Sequence, residues 1–311
     1  MAMQLNDINL RTVSDPKGLI EEGDAQYRDR VTAAAEKIIE NRHRSPIVLL
    51  SGPSGSGKTT TAMKVAEELN RRGVGTHYVA MDDYFNTVSP ETTPRTPEGD
   101  YDLESPLCLD MELLNQHFDQ LRRGERIYVP KYEFSRQMRT QEPSKSIKLH
   151  DDEIVIFEGI HALNAAITSR HPEAFKLYIS AQSDVIFNGI VVFKRTWFRL
   201  VRRTVRDYNF RGTDPQKTMA MWANVRRGEK QYISPFKNKA DYQFDTAFPY
   251  ELPVFNATAT KLFQSVPEGI ERFDELRGVL PALQLFGRID EELVAPDALI
   301  REFIGGGIYE Y

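Results

Sequence analysis

Short, unbroken apolar runs alternate along this chain with longer stretches whose apolar positions recur every three to four residues. The first 24 residues are polar and mixed, with Gly18 and Gly23 as apparent breakers. Over 25–41, Val31, Ala34, Ala35, Ile38 and Ile39 repeat at helical spacing, which predicts a helix leading into a core domain. The run PIVLLS at 46–51 is apolar without alternation, as expected of a strand covered on both faces. A helix is predicted over 59–72, with Ala62, Val65, Ala66 and Leu69 on one face and Gly73 as its stop. Further short strands are predicted at 77–81, ending in Asp82 and Asp83, at 154–157, ending in Glu158 and Gly159, and at 176–180. Between them lie a loop over 86–108 with four prolines, long enough to suggest function, and a helix over 110–122 that ends at Gly124. Strands alternating with helices imply an α/β fold whose mostly parallel sheet carries helices on both faces.

Composition narrows the function. With 41% apolar and 27% charged residues the chain is globular, and its 311 residues suffice for a sizeable core. The net charge is −5, so any anion-binding site is local and a general affinity for nucleic acid is not expected. Cys108 is the single cysteine, which excludes an internal disulfide and a thiolate zinc site and fits a reducing compartment. Six histidines show no metal-ligand spacing. No apolar run approaches the ~18 residues needed to span a bilayer. The amino terminus lacks the basic-then-apolar pattern of a signal peptide, so a cytoplasmic location and no membrane partner are expected.

The most specific motif is Gly52-Pro53-Ser54-Gly55-Ser56-Gly57-Lys58-Thr59, which matches G-x-x-x-x-G-K-[ST] between a predicted strand and a predicted helix. In such a P-loop the glycines bring backbone N–H groups to phosphate oxygens, and the following helix points its positive end at them. Lys58 reaches the outer phosphates, the Thr59 hydroxyl is placed for Mg²⁺, and Thr60 continues the phosphate-binding turn. The guanine-reading pattern N-K-x-D occurs as Asn238-Lys239-Ala240-Asp241. It follows Ser234-Pro235-Phe236 rather than a buried strand, and no D-x-x-G switch accompanies it, so a GTPase is disfavoured.

Asp82, Asp83 and Glu158 fall at carboxyl ends of predicted strands, where sites in such sheets gather. Either aspartate could take the proton of an attacking hydroxyl, and Glu158 suits the surroundings of a metal. Arg199, Arg202, Arg203 and Arg206 share one helix face at i, i+3, i+4 and i+7. Like charges so placed repel, and an anion facing them, such as a transferring phosphoryl group, would relieve the conflict.

Together GPSGSGKTT, MDDYF, YDLESP, VPKYEF, IVIFEGIHALN and RLVRRTVRDYNFRG resemble the uridine kinase and phosphoribulokinase family of P-loop kinases over about 45–255. EGIHALN, VRRGEKQYISPF and IREFIGG are most similar to its bacterial uridine kinase-like nucleoside kinases. The resemblance implies a P-loop NTPase fold, ATP and Mg²⁺ as cofactors, and transfer of the γ-phosphate to a hydroxyl, here the 5′-hydroxyl of uridine or a related nucleoside. It implies Asp82 as base, Asp102 on the ribose hydroxyls, Tyr132 packed on the acceptor's base, Arg203 and Arg206 as lid arginines, Arg203 also at the acceptor, and Asp241 beside the ATP. Thr59 and Glu158 would organise the metal. Gln137 stands where related enzymes carry a base-reading histidine, and Thr213 and Met221 where they carry an arginine and a glutamine. A sugar-phosphate acceptor, or an ATP-dependent switch without a metabolite acceptor, stays open.

The implied organisation is an N-terminal helical extension over 1–44, a kinase domain over 45–260 with a lid around 195–230, and a helical C-terminal extension over 261–311. An amphipathic stretch at 270–280 and the tail LIREFIGGGIYEY would pack on the kinase core or form a contact in a homo-oligomer.

Overall fold

The computed structural model describes residues 2–269 and 273–310. Its centre is a five-stranded sheet: β1 (Ile47–Ser51), β2 (Gly75–Ala80), β3 (Glu153–Glu158), β4 (Phe175–Ser180) and β5 (Tyr242–Asp245). All pairs are parallel and the order is β5-β4-β1-β3-β2. β1 is central and wholly buried, which explains its unbroken apolar sequence. β5 was not legible as a strand: its sequence YQFD exposes Gln243 at an edge and buries Phe244.

The main helices are α1 (Leu5–Ser14), α2 (Pro16–Asn41), α3 (Lys58–Arg71), α4 (Met111–Arg122), α5 (Arg195–Arg211), α6 (Pro215–Gly228), α7 (Glu251–Gln264) and α8 (Phe273–Leu283). Two of them correct the expectation for the first 24 residues. Asp15 begins α2 by accepting the Gly18 N–H (3.0 Å), so Gly18 is part of a helix start rather than a breaker. Gly23 lies inside α2, where a Cβ would stand 2.9 Å from the Tyr250 ring, and the missing side chain lets helix and ring meet.

Both ends of the chain enter the same core. Met3–Gln4 pairs in parallel with Val185–Phe187, which forms a hairpin with Ile190–Phe193. Leu5, Ile8, Tyr27 and Val31 share a buried cluster with Val48, Leu50, Leu283, Phe286 and Phe303. α7 runs across position 260, and the boundary expected at 44 falls in the turn between α2 and β1. Of the amphipathic stretch expected at 270–280, positions 270–272 lie outside the described residues, and the remainder belongs to α8.

The long loop after β2 is closed at its neck. Asn86 N–H donates to the Cys108 carbonyl (2.7 Å), and Phe85 bridges to Leu109. Beyond α4, Tyr132–Glu133 and Met138–Arg139 form a small hairpin whose turn holds Gln137 at φ 51°.

Candidate active site

The P-loop leaves β1 and turns into α3. Gly52 has no room for a side chain, since a Cβ would lie 2.0 Å from the Ile179 carbonyl oxygen of β4. Gly57 takes φ 81° immediately before α3, a conformation that favours glycine. The first amides of α3 therefore face the loop's hollow, as anion binding requires.

The arginine stripe corrects the expectation of four guanidiniums turned toward an anion. Arg199 donates from Nε to the Ser54 carbonyl (2.9 Å) and pairs with Glu229 (2.7 Å). Arg202, fully buried, holds Glu251 through two bonds of 2.6 and 2.7 Å and also contacts the Thr246 hydroxyl (3.1 Å). Thr246 in turn donates to the Ser56 carbonyl (2.7 Å). Arg203 donates to Ser54 Oγ (2.9 Å) and pairs with Asp207 (3.3 Å), which also accepts from Arg206 (2.8 Å). Protein carboxylates thus relieve the like-charge conflict, and α5 grips the back of the P-loop. Arg203 remains beside the loop, and Arg206 lies one turn further along.

Lys58 and Thr59 meet Glu158 at the end of β3. Lys58 Nζ lies 3.6 Å from Glu158, whose other oxygen accepts from the hydroxyls of Thr59 (3.2 Å) and Tyr78 (3.0 Å). Asp82 stands in the 3-10 turn after β2. Desolvation by the surrounding protein, then the charge of Glu158, raises its carboxyl to about 6, although the residue as a whole is exposed. Lys58 and Arg211 oppose that rise. Asp83 faces elsewhere: it accepts the Tyr132 N–H (3.4 Å), and its charged neighbours are Lys145 and Lys131. The two adjacent acids are therefore distinct in surroundings, one at the phosphate loop and one bracing the hairpin.

No cluster of three or more His, Cys, Asp or Glu that could enclose a metal occurs among the described residues. Mg²⁺ does not need one, because it is held by one or two protein oxygens together with phosphates and water. Thr59 and Glu158, hydroxyl and carboxylate in contact beside the P-loop, fit that donor set.

Next to this centre lies a cavity of about 420 Å³ lined mainly by Phe85, Val88, Leu103, Tyr132, Phe134 and Gln137. Tyr132 packs on Phe85 and Phe134 with ring centroids 5.6 and 5.1 Å apart. Asp102, adjacent to Leu103, is 4% exposed and already engaged: it accepts from Arg227 (2.7 and 3.2 Å) and from the Tyr232 hydroxyl (3.0 Å). Arg227, Tyr232, Tyr78 and His161 carry no sequence signal of a role at the site, although all but Tyr78 lie within the family motifs. His161 is buried, and that burial lowers it to about 4, against the opposing pull of the Glu104 backbone.

Asp241 does not reach this site. It sits at the amino end of β5, where it accepts the Lys176 N–H (2.7 Å), while the P-loop lies beyond the carboxyl ends of the strands. The N-K-x-D pattern is thus part of a strand start, with Ser234–Lys239 as a 3-10 turn before it.

A parallel sheet with this strand order, a complete P-loop and carboxylates at two neighbouring strand ends defines a P-loop phosphotransferase. The model of the phosphoribulokinase/uridine kinase family matches residues 47–249, and the chain belongs to that family. A uridine kinase of Staphylococcus epidermidis is 30% identical over 200 residues, covering 64% of this chain and 86% of that protein. A uridine kinase of Erwinia tasmaniensis is 31% identical over 208 residues, covering 66% of this chain and 88% of its own. A uridine kinase of Saccharomyces cerevisiae is 28% identical over 196 residues, and the match spans 63% of this chain but 36% of the yeast protein. The family fixes the chemistry as ATP-dependent transfer of a phosphoryl group to a hydroxyl. Among the described residues no helix is long and apolar enough to cross a membrane.

Proposed function

We propose that this kinase phosphorylates the 5′-hydroxyl of uridine or a closely related nucleoside in the cytoplasm. The observation that carries the reading is the cavity walled by the rings of Phe85, Tyr132 and Phe134 and edged by Gln137, with Leu103, the neighbour of Asp102, also in its lining. A planar base stacks against such rings, and the Gln137 amide can both donate and accept at its polar edge. With the base there, the ribose lies toward Asp102, and the 5′-hydroxyl points to Asp82 and the loop.

Asp82 takes the hydroxyl proton as the oxygen attacks the γ-phosphorus. Lys58 and the first amides of α3 hold the phosphate oxygens, and Arg203 and Arg206 offer charge to the moving group. Thr59 and Glu158 would hold Mg²⁺, which would supply positive charge at the phosphates. The other purpose of Glu158 is to fix Lys58, from which it stands 3.6 Å.

Three of the four acceptor positions of Asp102 are occupied by Arg227 and Tyr232, which leaves one on Oδ1 for a ribose hydroxyl. Losing a hydrogen bond to a buried carboxylate should favour uridine over 2′-deoxyuridine by about ten- to a hundredfold in kcat/KM. The comparison of the two substrates, in wild type and Asp102→Asn, tests this. Equal rates in wild type would remove Asp102 from the acceptor site. One observation favours a second acceptor class: Arg227 at the cleft could leave Asp102 for a phosphate, as a sugar phosphate would require.

A further inference from the structure

A second cavity of about 420 Å³ lies beside α3, the helix after the P-loop, and of its lining residues the proposed transfer to the acceptor uses Arg206 alone. It is lined by Arg206, Phe210 and Arg211 from the end of α5, and by Arg301, Glu302, Gly305–Gly307 and Tyr309 from the C-terminal tail. Its volume is that of a small-molecule site. The tail residues lie beyond 249, the last position matched by the family model.

The tail is fastened to the phosphate loop and its helix. Leu299 fills the space beside Gly57, where a Cβ would come within 2.7 Å of it. The Thr60 hydroxyl donates to Glu302 (2.6 Å), and both residues are buried. Further along α3, Lys64 bonds Asp297 (2.8 Å), and Glu67 accepts from the Tyr309 hydroxyl (2.9 Å). On the opposite wall, Asn209 of α5 donates to the Phe303 carbonyl (3.3 Å). The glycine run is shaped by need: Gly305 and Gly306 take φ 88° and 69°, and a Cβ on Gly305 would lie 2.9 Å from the Phe210 ring. Phe210 is nonetheless 57% exposed.

The direction of the donor follows from the acceptor. Its terminal phosphate must face Asp82 and the aromatic cavity, so its inner phosphate and nucleoside leave along the first turn of α3, past Thr60. That path ends at Glu302. We propose that residues 299–309, with Phe210 and Arg206 of α5, form the binding site for the base and ribose of the donor nucleotide. Phe210 supplies a face on which the base stacks, the glycine backbone borders the base edge, and the Glu302 carboxylate accepts from the ribose hydroxyls. Arg206 and Arg211 add positive charge between this cavity and the phosphates.

The inference rests on the kinase reading, and the test separates the two. ADP and pyrophosphate, each with Mg²⁺, are bound to the full chain, and affinity and amide hydrogen exchange are followed. ADP should slow exchange over residues 301–309, whereas pyrophosphate, which carries no nucleoside, should not. Phe210→Ala, a substitution at an exposed ring, should weaken ADP about tenfold and change pyrophosphate less than twofold. ADP binding that leaves 301–309 unprotected, or equal ADP affinity in wild type and Phe210→Ala, would overturn the assignment while leaving the phosphate loop in place. Failure of both ligands to bind wild type would instead overturn the phosphate-loop reading, and this inference with it.

Discussion

Asp82 and Asp83 are neighbours in sequence and share one chemistry, yet they face different partners. Asp82 answers to Glu158 and Lys58, and Asp83 to the Tyr132 amide and the charges of Lys145 and Lys131. Asp82→Asn keeps the shape but cannot take a proton, so turnover should fall by at least a hundredfold with little change in ATP affinity. Asp83→Asn should act through hairpin position, raising the acceptor KM with a smaller effect on kcat. Steady-state kinetics of the two variants check this, and the reverse order would exchange their roles. Strand-end position alone left the choice between them open, because adjacent residues there carry no signal of which way each side chain turns, and only the family resemblance pointed to Asp82. The P-loop was fully legible, since its glycines, lysine and threonine are required by type at fixed spacing. Arg227 and Tyr232 were hidden for the opposite reason: they reach Asp102 across more than a hundred residues.

α5 shows what periodicity can and cannot tell. Spacing put four arginines on one face, as found, but their partners come from Glu229, Glu251 and Asp207, which no local pattern links to them. Arg202 and Glu251 are both wholly buried. Glu251→Gln leaves an uncompensated charge in the core and should cost about 3–5 kcal/mol of stability. Arg202→Met combined with Glu251→Met should recover much of that loss. Denaturant midpoints at constant slope read both effects, and a Glu251→Gln protein as stable as wild type would contradict the buried pair.

α4 carries a pH signature. His117 is buried against the Tyr84 hydroxyl (2.8 Å), with Asp110 and Arg139 as charged neighbours, and burial lowers it to about 4. A histidine held neutral in the fold favours folding fully above its ordinary value near 6.5, and that contribution is lost as pH falls from there toward 4. Unfolding free energy should therefore decline over this window, and His117→Gln, which does not titrate, should decline less steeply. Parallel declines would place the acid sensitivity elsewhere.

For the whole molecule, the apolar strands and the P-loop make the α/β class readable in the sequence alone, because a buried parallel sheet imposes unbroken apolar runs. The segments outside the matched family region are harder. The first turns of α2 hide behind Gly18 and Gly23, which serve a helix start and a close approach, and the tail LIREFIGGG has too few apolar repeats to reveal a site. In the fold both ends join one core, and the tail lies against the P-loop helix.

On the proposed function, ATP and a nucleoside meet between Asp82 and the P-loop. The most direct test of that reading is to incubate the protein with MgATP and uridine and identify the product by mass and phosphorus NMR, with Asp82→Asn as control. Uridine 5′-monophosphate should form in step with ADP, and at least a hundredfold less of it with Asp82→Asn. A protein that consumed ATP without phosphorylating uridine or any other nucleoside, and phosphorylated a sugar phosphate instead, would contradict it.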